Sequence, residues 1–90
     1  MDIKETLAKL RSDIDQTDAE LVKLFDRRMK LSDDVARVKS AGNLPITDEK
    51  REDQVVANAM ALSGLDDKTG VATFMRTLIA LSKARQHRAL

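Results

Sequence analysis

Ninety residues with sixteen Lys and Arg against fifteen Asp and Glu leave a net charge of +1, which excludes a strongly basic nucleic-acid surface and a polybasic membrane patch. The absence of cysteine excludes a disulfide framework, one histidine leaves no zinc set, and two phenylalanines without Trp or Tyr give no base-stacking platform. A chain this short buries roughly 60% of its unfolded surface, so the expectation is one domain over residues 1–90, supported by oligomerisation.

The first predicted element runs from about Ile3 to Ser40. Apolar side chains recur along it in alternating steps of four and three: Ile3, Leu7, Leu10, Ile14, Leu21, Leu24, Leu31, Val35 and Val38. That spacing is the seam of one long amphipathic helix. Thr17 is a mild exception to the seam and Arg28 a severe one. A guanidinium keeps its charge and needs a partner when buried. Either Arg28 snorkels out of the seam or an anion is meant to sit there. Asp26–Lys30 and Asp33–Arg37 are spaced for ion pairs on the exposed face. The start, Met1-Asp2-Ile3-Lys4, has no apolar run of a signal peptide, and no stretch is long enough to span a bilayer, so the expected location is the cytoplasm.

Gly42 and Asn43 stop the first helix, and Pro45 follows as a breaker. Thr47 or Asp48 can cap a second helix that carries Val55, Val56, Ala59 and Leu62 and ends at Ser63-Gly64. Asp66 or Asp67 opens a third, with Val71, Phe74, Met75, Leu78, Ile79 and Leu81 as its apolar positions. No strand pattern appears. The fold class is therefore all-α, a three-helix protomer. A first helix of that length spans roughly 55 Å at 1.5 Å per residue. Two short helices cannot cover it, and a second copy of the chain is the simplest cover, giving an intertwined homodimer.

Arg28, Ser32, Val35 and Lys39 share one face of the long helix, with Arg28 and Lys39 roughly 16 Å apart along the axis. Two long cationic side chains leaning together across that gap can hold a small anion. The plainer alternative is a solvated basic face. Arg51 and Glu52 fall in the first turns of the second helix, where Glu52 suits the helix dipole or pairs with Arg28. Ser82 and Gln86 interrupt the apolar stripe of the third helix and suit a polar pocket lining, or the fraying of a C-terminal turn. Arg11 lies about 25 Å from Arg28 along the helix, so both reach one metabolite only across an antiparallel partner. Lys83, Arg85 and Arg88 complement the C-terminal helix dipole, and His87 is exposed. Four cations, one carboxylate and two neutral hydrogen-bonding groups suit a dianionic substrate with a hydroxyl, transformed by electrostatic complementarity rather than proton transfer.

The segments Leu10-Arg11-Ser12-Asp13-Ile14-Asp15, Asp26-Arg27-Arg28, Val35-Ala36-Arg37-Val38-Lys39, Pro45-Ile46-Thr47-Asp48-Glu49-Lys50-Arg51-Glu52 and Leu81-Ser82-Lys83-Ala84-Arg85-Gln86 stand in an order and spacing that resembles the all-helical (AroQ-class) chorismate mutase family. The resemblance implies conversion of chorismate to prephenate with no cofactor, in a dimer with two active sites. It implies that Arg28 and the partner chain's Arg11 hold substrate carboxylates, and that Ser82 and Arg51 complete that shell. Lys39 would reach a carboxylate and the ether oxygen, and Gln86 would also donate to that oxygen. Glu52 and the backbone N–H at Asp48 would engage the ring hydroxyl. A branch of the same fold releases pyruvate from isochorismate but lacks the glutamate at the position of Glu52. These ninety residues carry no dehydratase, dehydrogenase or regulatory part, so a free-standing domain is expected, with a domain excised from a longer chain as the alternative. A non-catalytic dimerisation module is the alternative from another class. It explains the seam but not Arg28, Lys39, Glu52 and Gln86 together.

Overall fold

The computed structural model describes residues 2–89, Ala89 through its backbone only. Three helices form, α1 (Ile3–Ala41), α2 (Glu49–Leu62) and α3 (Lys68–Ala89), and the described residues contain no strand. The all-α class expected from the patterning is what the chain adopts. None of these helices is long and apolar enough to cross a membrane.

Local chemistry sets each boundary. Asp2 caps α1: its Oδ1 accepts the Lys4 N–H at 2.8 Å, and its carbonyl accepts the Thr6 N–H. At the far end Asn43 takes the left-handed conformation (φ 57°). The Leu44 N–H then reaches back to the Lys39 carbonyl at 2.8 Å and the Asn43 N–H to that of Ser40. This is the six-to-one and five-to-two closure of a Schellman cap. Asparagine makes the reversal here, and Gly42 keeps a negative φ. Of the two candidate caps for α2, Asp48 takes the role, its Oδ1 accepting the Arg51 N–H at 3.1 Å. Ser63 closes that helix by donating its N–H to the Ala59 carbonyl. Asp67 opens α3 by accepting the Thr69 N–H.

Residues up to Lys30 make one compact unit and those from Leu31 onward another. In the first unit the seam lies open: Ile3, Leu7, Leu10, Ile14, Leu21 and Leu24 are all exposed. Arg28, within that seam, is half-buried and engaged by neighbours.

In the second unit α2 packs on α3. Its buried apolar side chains are small in number: Ala36 of α1, Val56 of α2 and Ile79 of α3. Leu62, Phe74 and Leu81, expected on apolar faces, are exposed. Three polar side chains are buried with that core, Ser32, Ser82 and Gln86. Burying a polar group is unfavourable unless something bonds to it: Ser32 and Ser82 are engaged, whereas Gln86 Oε1 accepts no hydrogen bond from the described residues.

One ion pair clasps the end of α1 to α3. Arg85 Nε and Nη2 donate to Asp33 Oδ1 and Oδ2 at 3.0 and 2.7 Å, the two-pronged geometry that suits guanidinium and carboxylate. The spacing-based pairing of Asp33 with Arg37 does not form, and Arg37 donates instead to Asp34. The Arg85 hydrogen bond, with the charges of Arg85 and Arg37 adding to it, holds the Asp33 carboxyl below the usual aspartate value. The folded value thus lies below the unfolded one. The clasp contributes fully above the unfolded value and is lost as pH falls through the folded one. Asp33→Asn should therefore melt below the parent at pH 7, and the gap should narrow as pH drops below about 4. Thermal melts of the two proteins across pH check this, and a gap of constant size would refute it.

Candidate active site

Short contacts fix several of the expected site residues of the second unit. Lys39 stands in the last turn of α1, and its ammonium donates to the Ile46 carbonyl at 2.7 Å. That bond draws the 42–48 loop to the helix end. An ammonium has three donors, so two remain for a ligand. Two residues on, Asp48 spends its side chain on the α2 cap, and its carbonyl accepts the Glu52 N–H at 2.9 Å. Glu52 is thereby fixed in the first turn of α2, where the helix dipole favours its charge.

From Glu52 the chain of contacts crosses to α3. Lys83 Nζ lies 3.5 Å from Glu52 Oε1 and 3.3 Å from Oε2. Its neighbour Ser82 is buried and engaged, and Gln86 is buried one turn further on. Gln86 is 7% exposed, and its Oε1, out of contact with solvent, accepts no hydrogen bond from the described residues. An orphaned buried acceptor is destabilising by about 1–3 kcal/mol, and it is the type of group a ligand satisfies. Arg51 is exposed and donates to Gln54 at 3.0 Å, on its own helix.

Arg11 and Arg28 belong to the first unit. Arg11 is exposed on α1.

Residues 10–87 match the family pattern of chorismate mutase type II. The chain belongs to that family. It is 34% identical over 89 residues to a chorismate mutase of Methanocaldococcus jannaschii, a match covering 96% of this chain and 89% of that protein. It is 44% identical over 52 residues to the T-protein of Haemophilus influenzae, a match covering 58% of this chain and 14% of that much longer protein. Among solved structures, a conserved hypothetical protein from Pyrococcus furiosus superposes with a TM-score of 0.77 at 28% identity, covering 90% of this chain and 95% of that one. The family read from the sequence segments is thus met.

Within this chorismate mutase family chain the structure revises two readings of charged residues. Lys83 and Arg85 are not spent on the α3 dipole: Lys83 bonds Glu52 and Arg85 bonds Asp33. His87 and Arg88 are the basic residues of the last turn, and His87 is exposed. An ion pair thus joins Glu52 to Lys83 of α3. A signal for Lys83 was present: a cation beside Ser82 and three residues from Gln86 lies on the same helix surface as the candidate pocket lining.

Proposed function

We propose that the chain converts chorismate to prephenate as an intertwined homodimer, using electrostatic and conformational stabilisation of the transition state. The reaction is an isomerisation. One C–O bond breaks, one C–C bond forms, and no atom enters or leaves, so neither general base nor cofactor is needed. What the protein must supply is a folded, chair-like substrate and donors for the ether oxygen as charge grows on it.

The observation that carries the reading is the buried amide of Gln86 with its orphaned Oε1. Half a turn of the terminal amide exchanges Oε1 for Nε2 with no change of shape, and so offers an N–H donor at the unfilled position. Lys39 is the second donor to the ether oxygen, through the N–H groups that Ile46 leaves over. Glu52 accepts the ring hydroxyl and the Asp48 backbone N–H donates to it, the Asp48 side chain being committed to the cap. Arg28, Ser82, Arg51 and the partner's Arg11 take the two carboxylates. The dimer is supported by the open seam of α1, since contiguous exposed leucines and isoleucines mark a protein interface.

Incubation of the protein with chorismate in the presence of a chelator, and separately with isochorismate, tests the function. Prephenate from the first is the expected product. Pyruvate from isochorismate with chorismate untouched would make the protein a lyase. No product from either, in folded protein, would leave a dimerisation module.

Gln86 gives a pH signature. An amide donates at any pH, whereas the carboxyl of Gln86→Glu donates only when protonated. The variant's kcat/KM should rise as pH falls, while the parent's profile stays flatter. A Gln86→Glu profile superposable on the parent's would remove residue 86 from the breaking bond.

A further inference from the structure

Lys83 bonds a residue of the proposed mechanism, yet that mechanism gives it no role. Its ammonium sits 3.5 and 3.3 Å from the two oxygens of Glu52, so it straddles the carboxylate rather than bonding one end. Both side chains are largely withdrawn from solvent, Lys83 at 31% and Glu52 at 23% exposure, which separates this pair from the open surface pairs Lys9–Asp13 and Arg76–Asp53. It also joins α2 to α3 beside the buried Ser82 and Gln86.

Two physical consequences follow from that geometry. The terminal torsion of a glutamate is broad and two-fold, so an unrestrained carboxylate samples many orientations. A cation held against both oxygens fixes the plane, leaving the far lone pairs to accept from a hydroxyl. A carboxylate beside a dianionic substrate also repels it, and an ammonium against both oxygens offsets that repulsion.

Resting on the reading that Glu52 accepts the ring hydroxyl, we propose that Lys83 is a positioning residue: it orients and charge-balances Glu52 so that a hydroxylated dianion is accepted there. Lys83 acts through Glu52 and does not touch the reacting atoms. Because the hydroxyl contact is made alike in substrate and transition state, its loss falls on KM more than on kcat.

The test is a double-mutant cycle on the whole chain, with chorismate as the substrate. Lys83→Met should raise KM roughly tenfold while kcat stays within about threefold of the parent. Lys83→Arg, whose guanidinium can also span both oxygens, should restore most of the loss. In a Glu52→Gln background Lys83→Met should have no further effect, because the charge it serves is gone. Circular dichroism confirms that each variant is folded, and Lys83→Gln replaces Lys83→Met in the cycle if the methionine variant is not. A Lys83→Met enzyme equal to the parent overturns the inference. So does a full Lys83→Met penalty in the Glu52→Gln background, which would mean that Lys83 meets the substrate itself. An inactive parent would instead bring down the mutase reading and this inference with it.

Discussion

Arg28→Leu should give a folded dimer, at least as stable as the parent, whose kcat/KM on chorismate is lower by roughly a thousandfold or more. Position 28 falls on the seam of α1 between Leu24 and Leu31, where every other long side chain is apolar. A half-buried guanidinium in an apolar seam is partly desolvated, and in the proposed site it would stand with other cations gathered for a dianion, an arrangement that opposes folding until substrate arrives. Leucine restores the apolar repeat and removes the charge. Its contribution to the seam offsets the contacts Arg28 now makes. The activity loss is expected to be large because the proposed role, a charged donor on a substrate carboxylate, is one that leucine cannot fill. Thermal melts at one fixed protomer concentration, together with steady-state turnover, separate the two effects. A variant that melts far below the parent would show Arg28 to be a structural anchor instead.

Mixing two dead variants should restore activity. Arg11 stands seventeen residues before Arg28, about 25 Å along a helix, so one chain cannot bring both to one small metabolite. If each site takes Arg28 from one chain and Arg11 from the other, Arg11→Ala and Arg28→Ala homodimers are both nearly inactive. Partial unfolding and refolding of a mixture produces mixed dimers. In these, one site combines both alanines and is dead, while the other combines both intact arginines. Turnover should approach about half the parental value per mixed dimer. Mixed dimers verified by mass that stay inactive would show that the sites are not shared, and the proposed intertwining would be wrong.

Helix boundaries were legible in the sequence because they are local chemistry. Asp48 before Glu49, Ser63-Gly64 after Leu62 and Asp67 before Lys68 each place a capping group within four residues of the backbone it serves. The division of labour between Gly42 and Asn43 was not legible, since both tolerate the left-handed conformation and only the surrounding chain decides which takes it. Partner choice among charges was the other gap. Asp33 has Arg37 at the favoured helical spacing, yet it bonds Arg85, 52 residues away, through two hydrogen bonds to a more enclosed group. Helix spacing scores only neighbours on one helix, and such exposed pairs are worth a few tenths of a kcal/mol, so any well-formed tertiary pair outbids them. The same blindness hid the Lys83 contact with Glu52. For the candidate site, Ser82 and Gln86 were legible as polar interruptions of an apolar stripe, and both are buried. The roles of Asp48 and Arg51 came from the family resemblance alone, because nothing in their spacing separates a cap and a solvent-facing arginine from pocket residues.

Lys39 closes the end of α1 with its carbonyl and reaches the Ile46 carbonyl with its ammonium, so one residue sets both the start and the middle of the loop that delivers Asp48. Any replacement at that position is consequently two experiments in one. Shortening the side chain withdraws a donor from the proposed ether site and also unmoors the loop whose Asp48 N–H is proposed to meet the ring hydroxyl. A rate deficit measured for such a variant therefore overstates the chemistry of the ammonium by whatever the slackened loop adds. Conversely, a substitution at Lys39 chosen to alter the proposed ether contact also alters the turn it holds.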